Sequence, residues 1–212
     1  MINPHDGLFD RRQARRWVER YAARSRKPFR VALPAYGSRV SWRDDGSLLA
    51  VDSEAPRLAG GYAAAELVAP PVDVALLLHR LAQDRPAALT GIVWFRLPMT
   101  EDRRAWSPAT FRAILRGETP RERIELRAVA NAVPGVSDLV LVNPGEVDAE
   151  LPRLIELPAA CRLADGVNGY ALAAGDGPAL RRAEAGLLHG GSRKVIGWAR
   201  CAPNEGAFHV RP

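Results

Sequence analysis

The sequence predicts an α/β region followed by an all-β domain. From residue 1 to residue 119, amphipathic helical segments and strands alternate in the order helix, strand, helix, strand, helix, which is typical of a parallel α/β unit. From Gly117 onward the helical periodicity stops, and short β-like runs are separated by turns rich in Gly, Pro and Asn. The two patterns place a domain boundary near residue 120 and predict a β-sandwich over residues 120–212.

The first helix and the first strand follow from a capping signal and a change of period. Asp10 begins a capping-box pattern, and apolar residues then recur at helical spacing, so we expect a helix over residues 10–25 with its arginines on the solvated face. After Pro28 the apolar residues follow a period of two, which predicts a strand. Pro34 removes a backbone donor, so the strand ends near it.

The middle of the region is predicted from a turn signal and two further helices. Asp45-Gly46 favours a tight turn, which predicts a hairpin insertion at residues 38–52. Residues 53–71 then form a loop with a short extended piece near residues 65–68, and residues 72–85 form a helix. A buried strand over residues 90–97 follows, and Ser107-Pro108 caps a last helix that ends at Gly117.

The second domain is predicted to hold about six short strands. Its two cysteines, Cys161 and Cys201, could be bridged or free, because sequence alone does not place their Cα atoms within the roughly 4.4 to 6.8 Å that a disulfide needs. The strands are expected at residues 124–129, 138–142, 154–157, 169–172, 183–188 and 194–201.

Composition and charge exclude several classes of protein. The chain has 30 basic and 24 acidic residues, and its arginines are spread along the sequence instead of gathering beside stacking aromatics, so we predict no nucleic-acid partner. No apolar run approaches the roughly 20 residues of a membrane helix. The first thirty residues lack a signal peptide's apolar core, which predicts a cytoplasmic location. No phosphate-binding glycine loop, dinucleotide fingerprint or ligand-spaced set of His and Cys is present, so we predict neither a cofactor nor a metal site.

Several short motifs resemble a known bacterial family. They are PFRVALPAYG at residues 28–37, VSW at 40–42, GIVWFRLP at 91–98 with Trp106, VNGY at 167–170 and IGWARC at 196–201. They look like the C-terminal part of the domain of unknown function 3142 family, whose members are usually longer and often look exported. The N-terminal portion of these members resembles part of a glycosidase-like (β/α) barrel. The resemblance therefore implies that residues 1–119 form a partial TIM-barrel-like unit, completed by a missing N-terminal barrel portion or by a protein partner.

The candidate ligand site lies at the ends of the two predicted parallel strands. In a (β/α) barrel the functional face is at the C-terminal end of the strands, which places Tyr36 and Arg96 at the mouth. If Val93, Phe95 and Leu97 face the helices, Trp94 points inward. Aromatic rings beside an arginine suit a carbohydrate. In the alternative interpretation, Arg96 pairs with a structural carboxylate and Trp94 fills the core.

The loop after the second strand adds further candidate residues. Glu101 and Asp102 are the carboxylates next to the strand end, and Trp106 lies a few residues beyond. Glycoside hydrolysis uses two acids roughly 5 to 10 Å apart, which neighbouring loop residues rarely provide. No catalytic residue is therefore assigned, and the sequence does not decide whether the chain is an enzyme. The first hypothesis is glycan binding or processing through the strand-end face of the partial barrel. The second is a non-catalytic binding or assembly module that docks a protein partner through the β-sandwich or the open barrel edge.

Overall fold

The chain forms two compact units, Met1–Pro120 and Arg121–Pro212. They are seen in a computed structural model that describes residues 7–53, 63–99, 102, 104–175, 177–201 and 209–211.

The first unit contains three helices and five strands among its described residues. The helices are α1 (Arg11–Arg24), α2 (Pro71–Gln83) and α3 (Pro108–Leu115). The strands are β1 (Phe29–Pro34), β2 (Gly37–Trp42), β3 (Leu48–Asp52), β4 (Ala63–Val68) and β5 (Leu89–Phe95). Strands β1 and β5 pair in parallel, and β3, β2 and β4 form a separate antiparallel sheet in that order.

The helix ends follow the capping signals in the sequence. The Asp10 side chain accepts a hydrogen bond from the backbone N–H of Gln13 at 2.6 Å, and α1 begins at the next residue after Asp10. The Ser107 hydroxyl accepts from the Thr110 N–H at 3.2 Å, and Pro108 occupies the first turn of α3. Each cap satisfies a backbone donor that has no partner inside the helix. The predictions of both helices are confirmed.

The predicted TIM-barrel-like α/β fold is wrong. The described chain is mostly β-sheet with three short helices, and its strands do not close into a barrel. The predicted hairpin at residues 38–52 is one part of a three-stranded antiparallel sheet, because β4 pairs along the other side of β2 from Gly37↔Val68 to Trp42↔Ala63. With those residues held in an antiparallel sheet, only β1 and β5 remain parallel, and two strands do not enclose an interior.

The second unit is built from antiparallel strands. One four-stranded sheet has the order β10 (Cys161–Gly166), β14 (Arg193–Cys201), β7 (Ser137–Val142), β6 (Glu125–Ala130). The other has the order β11 (Tyr170–Leu172), β12 (Ala179–Arg182), β9 (Leu154–Glu156), β15 (His209–Arg211). A short pair joins β13 (Leu187–Leu188) to β8 (Ala149–Glu150).

The two larger sheets share one apolar core, so the second unit is sandwich-like. Leu141 and Ile196 come from one sheet, Ile155 and Leu180 come from the other, and all four side chains are fully buried. One strand prediction fails here, because the segment predicted as a strand over residues 183–188 contains only β13. Four strands, β8, β10, β12 and β15, were not predicted, and in β10 half of the residues are exposed.

Cys161 and Cys201 form a disulfide that joins two neighbouring strands. The two cysteines face each other in the pairing of β10 with β14, which is what brings their sulfur atoms together. The question left open by the sequence is therefore answered in favour of a bridge. Disulfides persist mainly in oxidising compartments.

Candidate functional site

Two of the predicted site residues form an ion pair just after β5. Nη2 of Arg96 contacts Oδ2 of Asp102 and also donates to the Ser53 carbonyl at 2.6 Å. The Asp102 side chain is 4% exposed. Its Oδ1 accepts from the backbone N–H groups of Arg104 and Ala105 at 3.1 and 3.2 Å. This is the pairing with a structural carboxylate that the sequence left as an alternative for Arg96.

Tyr36 lies close to the same arginine. Its ring meets that of Phe95 edge to face, with 5.5 Å between the centroids. Burial raises the pKa of the Tyr36 hydroxyl, and the positive charge of Arg96 lowers it by less, so the pKa is above its ordinary value. The hydroxyl is therefore protonated at neutral pH and can donate a hydrogen bond.

A second group of charges connects β2 and β4 to the residues after β5. Glu66 accepts from Nε and Nη2 of Arg104 at 2.9 and 3.1 Å, and from Nη1 of Arg39 at 3.1 Å. Burial alone would raise the pKa of Glu66, but the hydrogen bonds and charge of Arg104, followed by those of Arg39, hold it below its usual range. The hydrogen bonds to Glu66, and the nearby acidic charges including Asp52, raise the pKa of Arg104.

The chemistry available to these carboxylates follows from their partners. A general acid for glycoside hydrolysis needs a raised pKa, and that of Glu66 is lowered. Asp102 is held in an ion pair and in two backbone hydrogen bonds. Oδ2 of Asp52 is buried and accepts no hydrogen bond from the described residues. The paired charges therefore tie the three-stranded sheet to the turn that follows β5.

The two tryptophans of the predicted site lie on the helix side of the parallel sheet. Trp106 is 1% exposed, and its Nε1 donates to the Ala69 carbonyl at 2.7 Å. Trp94 packs edge to face against Trp106 and against Phe111 of α3, with centroid separations of 6.1 and 5.1 Å. Both rings fill space between the sheet and α3.

The predicted facing of β5 is wrong. Val93, Phe95 and Leu97 were expected to face the helices, but they are 45%, 60% and 66% exposed. Strand pairing explains the difference, because Trp94 lies beside Leu33 in the register and Leu33 is 1% exposed. Burying the indole ring of Trp94 removes more apolar area from water than burying its smaller neighbours would.

One predicted site residue has no position in this geometry. Glu101 falls outside the described residues. Across the described ranges, His, Cys, Asp and Glu side chains form no group of three that could hold a metal ion. No helix among those residues combines the length and apolar character that crossing a bilayer requires.

The charged residues that β2 and β4 contribute were not predicted from the sequence. Arg39 and Glu66 lie directly opposite each other in the pairing of β2 with β4. Alternation could have placed each on one face of its strand, but the long-range pairing that brings them together is not encoded in local sequence.

A second missed pair lies in the second unit, where Nδ1 of His189 is 2.9 Å from Oδ1 of the fully buried Asp148. The carboxylate fixes the orientation of that ring.

Together the observations define a two-unit protein, in which a small region of mixed sheet and helix precedes a sandwich-like antiparallel unit. Residues 1–100 match the family model described as Domain of unknown function (DUF3142), and the chain carries this domain. Residues 126–202 match a different model, Domain of unknown function (DUF8456). The motifs at residues 167–170 and 196–201 lie in this second match and not in the first. The resemblance to the first family is confirmed for residues 1–100. No curated protein matches the chain.

Proposed function

We propose that the first unit is a non-catalytic binding or assembly module that docks a protein partner on the uncovered side of its parallel sheet. This surface, the open face, consists of Val93 and Phe95 on β5 and of Leu97 and Met99 just beyond it. The four alternate along the chain, and all are between 45% and 66% exposed. That run of exposed apolar side chains is the observation that carries the proposal.

The opposite side of the same sheet shows what a covered face looks like. Phe29 meets Tyr21 of α1 with 4.9 Å between ring centroids, and Trp94 packs on Phe111 of α3. Parallel sheets in proteins are ordinarily covered on both faces. Contiguous exposed apolar groups mark interaction surfaces, since burying each large side chain contributes about 1.5 to 3 kcal/mol.

The occupant that fits this surface best is an extended segment of a partner polypeptide. Within the described chain β1 and β5 each pair only with the other, so each has a side with no strand neighbour. An added strand would pair its backbone with that edge and place alternate apolar side chains on the open face. Arg30 is exposed and lies opposite Gly91 in the register, so an acidic residue in the segment would complement its charge.

A defined peptide tests the proposal. The probe is a fluorescent peptide of about six residues that alternates valine with threonine and ends in glutamate. We expect saturable binding, measured by anisotropy, that Phe95→Lys weakens about tenfold or more because it places a charge on the apolar contact. The matched control is Leu163→Lys in the second unit, where the native side chain is 55% exposed.

Two results would reject the docking proposal. One is the absence of saturable binding to the wild-type protein. The other is equal weakening by Phe95→Lys and Leu163→Lys, since that outcome would mean that added positive charge, and not the open face, alters the affinity.

Glycan binding is a second candidate, favoured by a different observation at the same strand end. The exposed ring of Phe95 lies against Tyr36, whose hydroxyl is protonated, and Arg96 lies beside it. An exposed ring flanked by polar donors suits the C–H face and hydroxyls of a sugar. A glycan-array screen should show binding that Phe95→Ala abolishes and Tyr36→Phe weakens. Equal signals from all three proteins would reject this candidate.

A further inference from the structure

A groove between α1 and α2 carries an unusual concentration of arginine. It has a volume of about 430 Å³, and α1 contributes Arg11, Arg12 and Arg15 to its wall. Helix α2 contributes Arg80, together with Leu76 and Leu77. No carboxylate is among the residues that line the groove. The volume lies in the range of small-molecule sites.

Two of the four guanidinium groups are paired with solvent-exposed carboxylates. Nε of Arg11 is 3.7 Å from Oδ1 of Asp73. Nε of Arg15 is 2.5 Å from Oε1 of Glu19, and its Nη2 is 3.7 Å from Oδ2 of Asp84. The side chains of these acids are 41% to 75% exposed, so the pairs hold the arginines weakly. Each guanidinium has five N–H donors, and most of them stay available.

The other two arginines of the groove are Arg12 and Arg80. Within the described residues, the side chains of Arg12 and Arg80 form no hydrogen bond or ion pair. Both side chains belong to exposed residues at the edge of the groove. Like charges gathered in one concave surface repel one another, and an anion placed among them relieves that repulsion.

We infer that this groove binds a ligand bearing a phosphate group, with Arg12 and Arg80 as its principal donors. The planar fork of arginine matches the oxygen geometry of phosphate and forms paired, charge-assisted hydrogen bonds with it. Leu76 is half-buried and offers an apolar surface to the rest of the ligand. This site is independent of the open face and of the docking proposal.

His79 also lines the groove, but its ring is held elsewhere. Nε2 of His79 lies 2.6 Å from the Gly117 carbonyl, and Nδ1 lies 3.4 Å from the Thr119 hydroxyl. The recognition of the phosphate therefore depends on the arginines.

The experiment uses the full chain and inorganic pyrophosphate, with binding measured by isothermal titration calorimetry. We expect saturable binding that Arg12→Gln and Arg80→Gln each weaken about tenfold, as the loss of a charge-assisted hydrogen bond implies. The matched control is Arg20→Gln, which removes the same charge from an exposed position of α1 outside the groove. Glutamine is a good helix former, so all three variants keep the helices intact.

A second arm identifies where the phosphate comes from. Vesicles of phosphatidylglycerol are offered to the same four proteins. Vesicle binding that depends on Arg12 and Arg80 supports the site and assigns the phosphate to a lipid headgroup. Pyrophosphate binding without vesicle binding also supports the site, and it assigns the phosphate to a soluble molecule. The inference is overturned if neither pyrophosphate nor the vesicles bind, or if Arg20→Gln weakens binding as much as Arg12→Gln does.

Discussion

The two units of the chain differ in the burial of a central strand and in net charge. In the second unit Leu139, Val140 and Leu141 of β7 are all buried, so this strand is covered on both faces. In the first unit β5 alternates, with Trp94 packed on α3 and Phe95 60% exposed. The same difference holds for charge, since residues 1–120 contain 19 basic and 13 acidic residues whereas residues 121–212 contain 11 of each.

The difference agrees with the proposal that the first unit binds another molecule. The second unit has a continuous core, a disulfide and no net charge. The first unit keeps apolar groups and guanidinium groups where another molecule can reach them. Five changes test this contrast, in order of decreasing effect on the free energy of unfolding.

Removing the disulfide should have the largest effect. The bridge between Cys161 and Cys201 spans 40 residues of sequence. Closing a loop of that length stabilises the folded state by about 4 kcal/mol, so the double change Cys161→Ser, Cys201→Ser should destabilise the second unit by about that amount. Urea unfolding in the presence and absence of reductant measures it. Identical midpoints for wild type and variant in oxidising buffer would contradict the prediction.

Truncating a core side chain should come next. Ile155 is fully buried between the two larger sheets, and Ile155→Ala should cost about 2 to 5 kcal/mol through lost contacts and a cavity. The control is Leu172→Ala in the same unit, where the side chain is 53% exposed and the cost should stay below about 1 kcal/mol. Comparable losses in the two variants would show that the core has been misassigned.

Breaking the charge network of the first unit should have an intermediate effect that depends on pH. Glu66→Gln weakens hydrogen bonds to two arginines and should cost about 1 to 3 kcal/mol at neutral pH. The pKa of Glu66 is lowered in the folded state, so its contribution is complete above the unfolded value of about 4.5 and is lost as the pH falls through the lower folded value. The variant should therefore lose less stability than wild type on acidification below about pH 4.5. Parallel acid curves would count against the network.

The stability of the second unit should fall at alkaline pH. Burial, only partly offset by the charge of Arg182, raises the pKa of Tyr170 to about 12. Its ordinary value is 10.0. The stability that this raised pKa reflects is complete below pH 10 and declines as the pH rises from 10 toward 12. Tyr170→Phe should flatten that decline in alkaline unfolding curves, whereas an unchanged slope would exclude Tyr170 as its source.

Changing the open face should have the smallest effect. Phe95→Ser removes a side chain that is already 60% exposed, so the free energy of unfolding should change by less than about 1 kcal/mol. Binding of a hydrophobic dye such as ANS should fall at the same time. A loss of several kcal/mol would mean that Phe95 belongs to the core and would remove the basis of the docking proposal.

The sequence predicted the features that depend on near neighbours. Asp10 and Ser107 cap the helices as expected because a cap uses atoms three residues away. The Asp45-Gly46 turn does lie between paired strands, with Gly46 at a φ of +78°. In each case the physical cause is contained within a few residues of the chain.

The features that depend on distant partners could not be predicted in the same way. The antiparallel pairing of β4 with β2 replaced the expected barrel, and no local signal specifies which strand takes that place. The facing of β5 was misjudged because Val93 and Phe95 are as apolar as the residues on the covered side. Arg96 was chosen as a candidate from its strand-end position, but its partners Asp102 and Ser53 became clear only from the folded geometry.

The arginine-rich surface of the first unit also decides how the protein behaves in solution. An exposed apolar strip beside an unpaired strand edge favours self-association, whereas a net charge of +6 on the same unit opposes it by repulsion between molecules. Added salt screens that repulsion over about 10 Å at 0.1 M and leaves the apolar attraction in place. The protein should therefore stay dispersed at low ionic strength and aggregate as the salt concentration is raised.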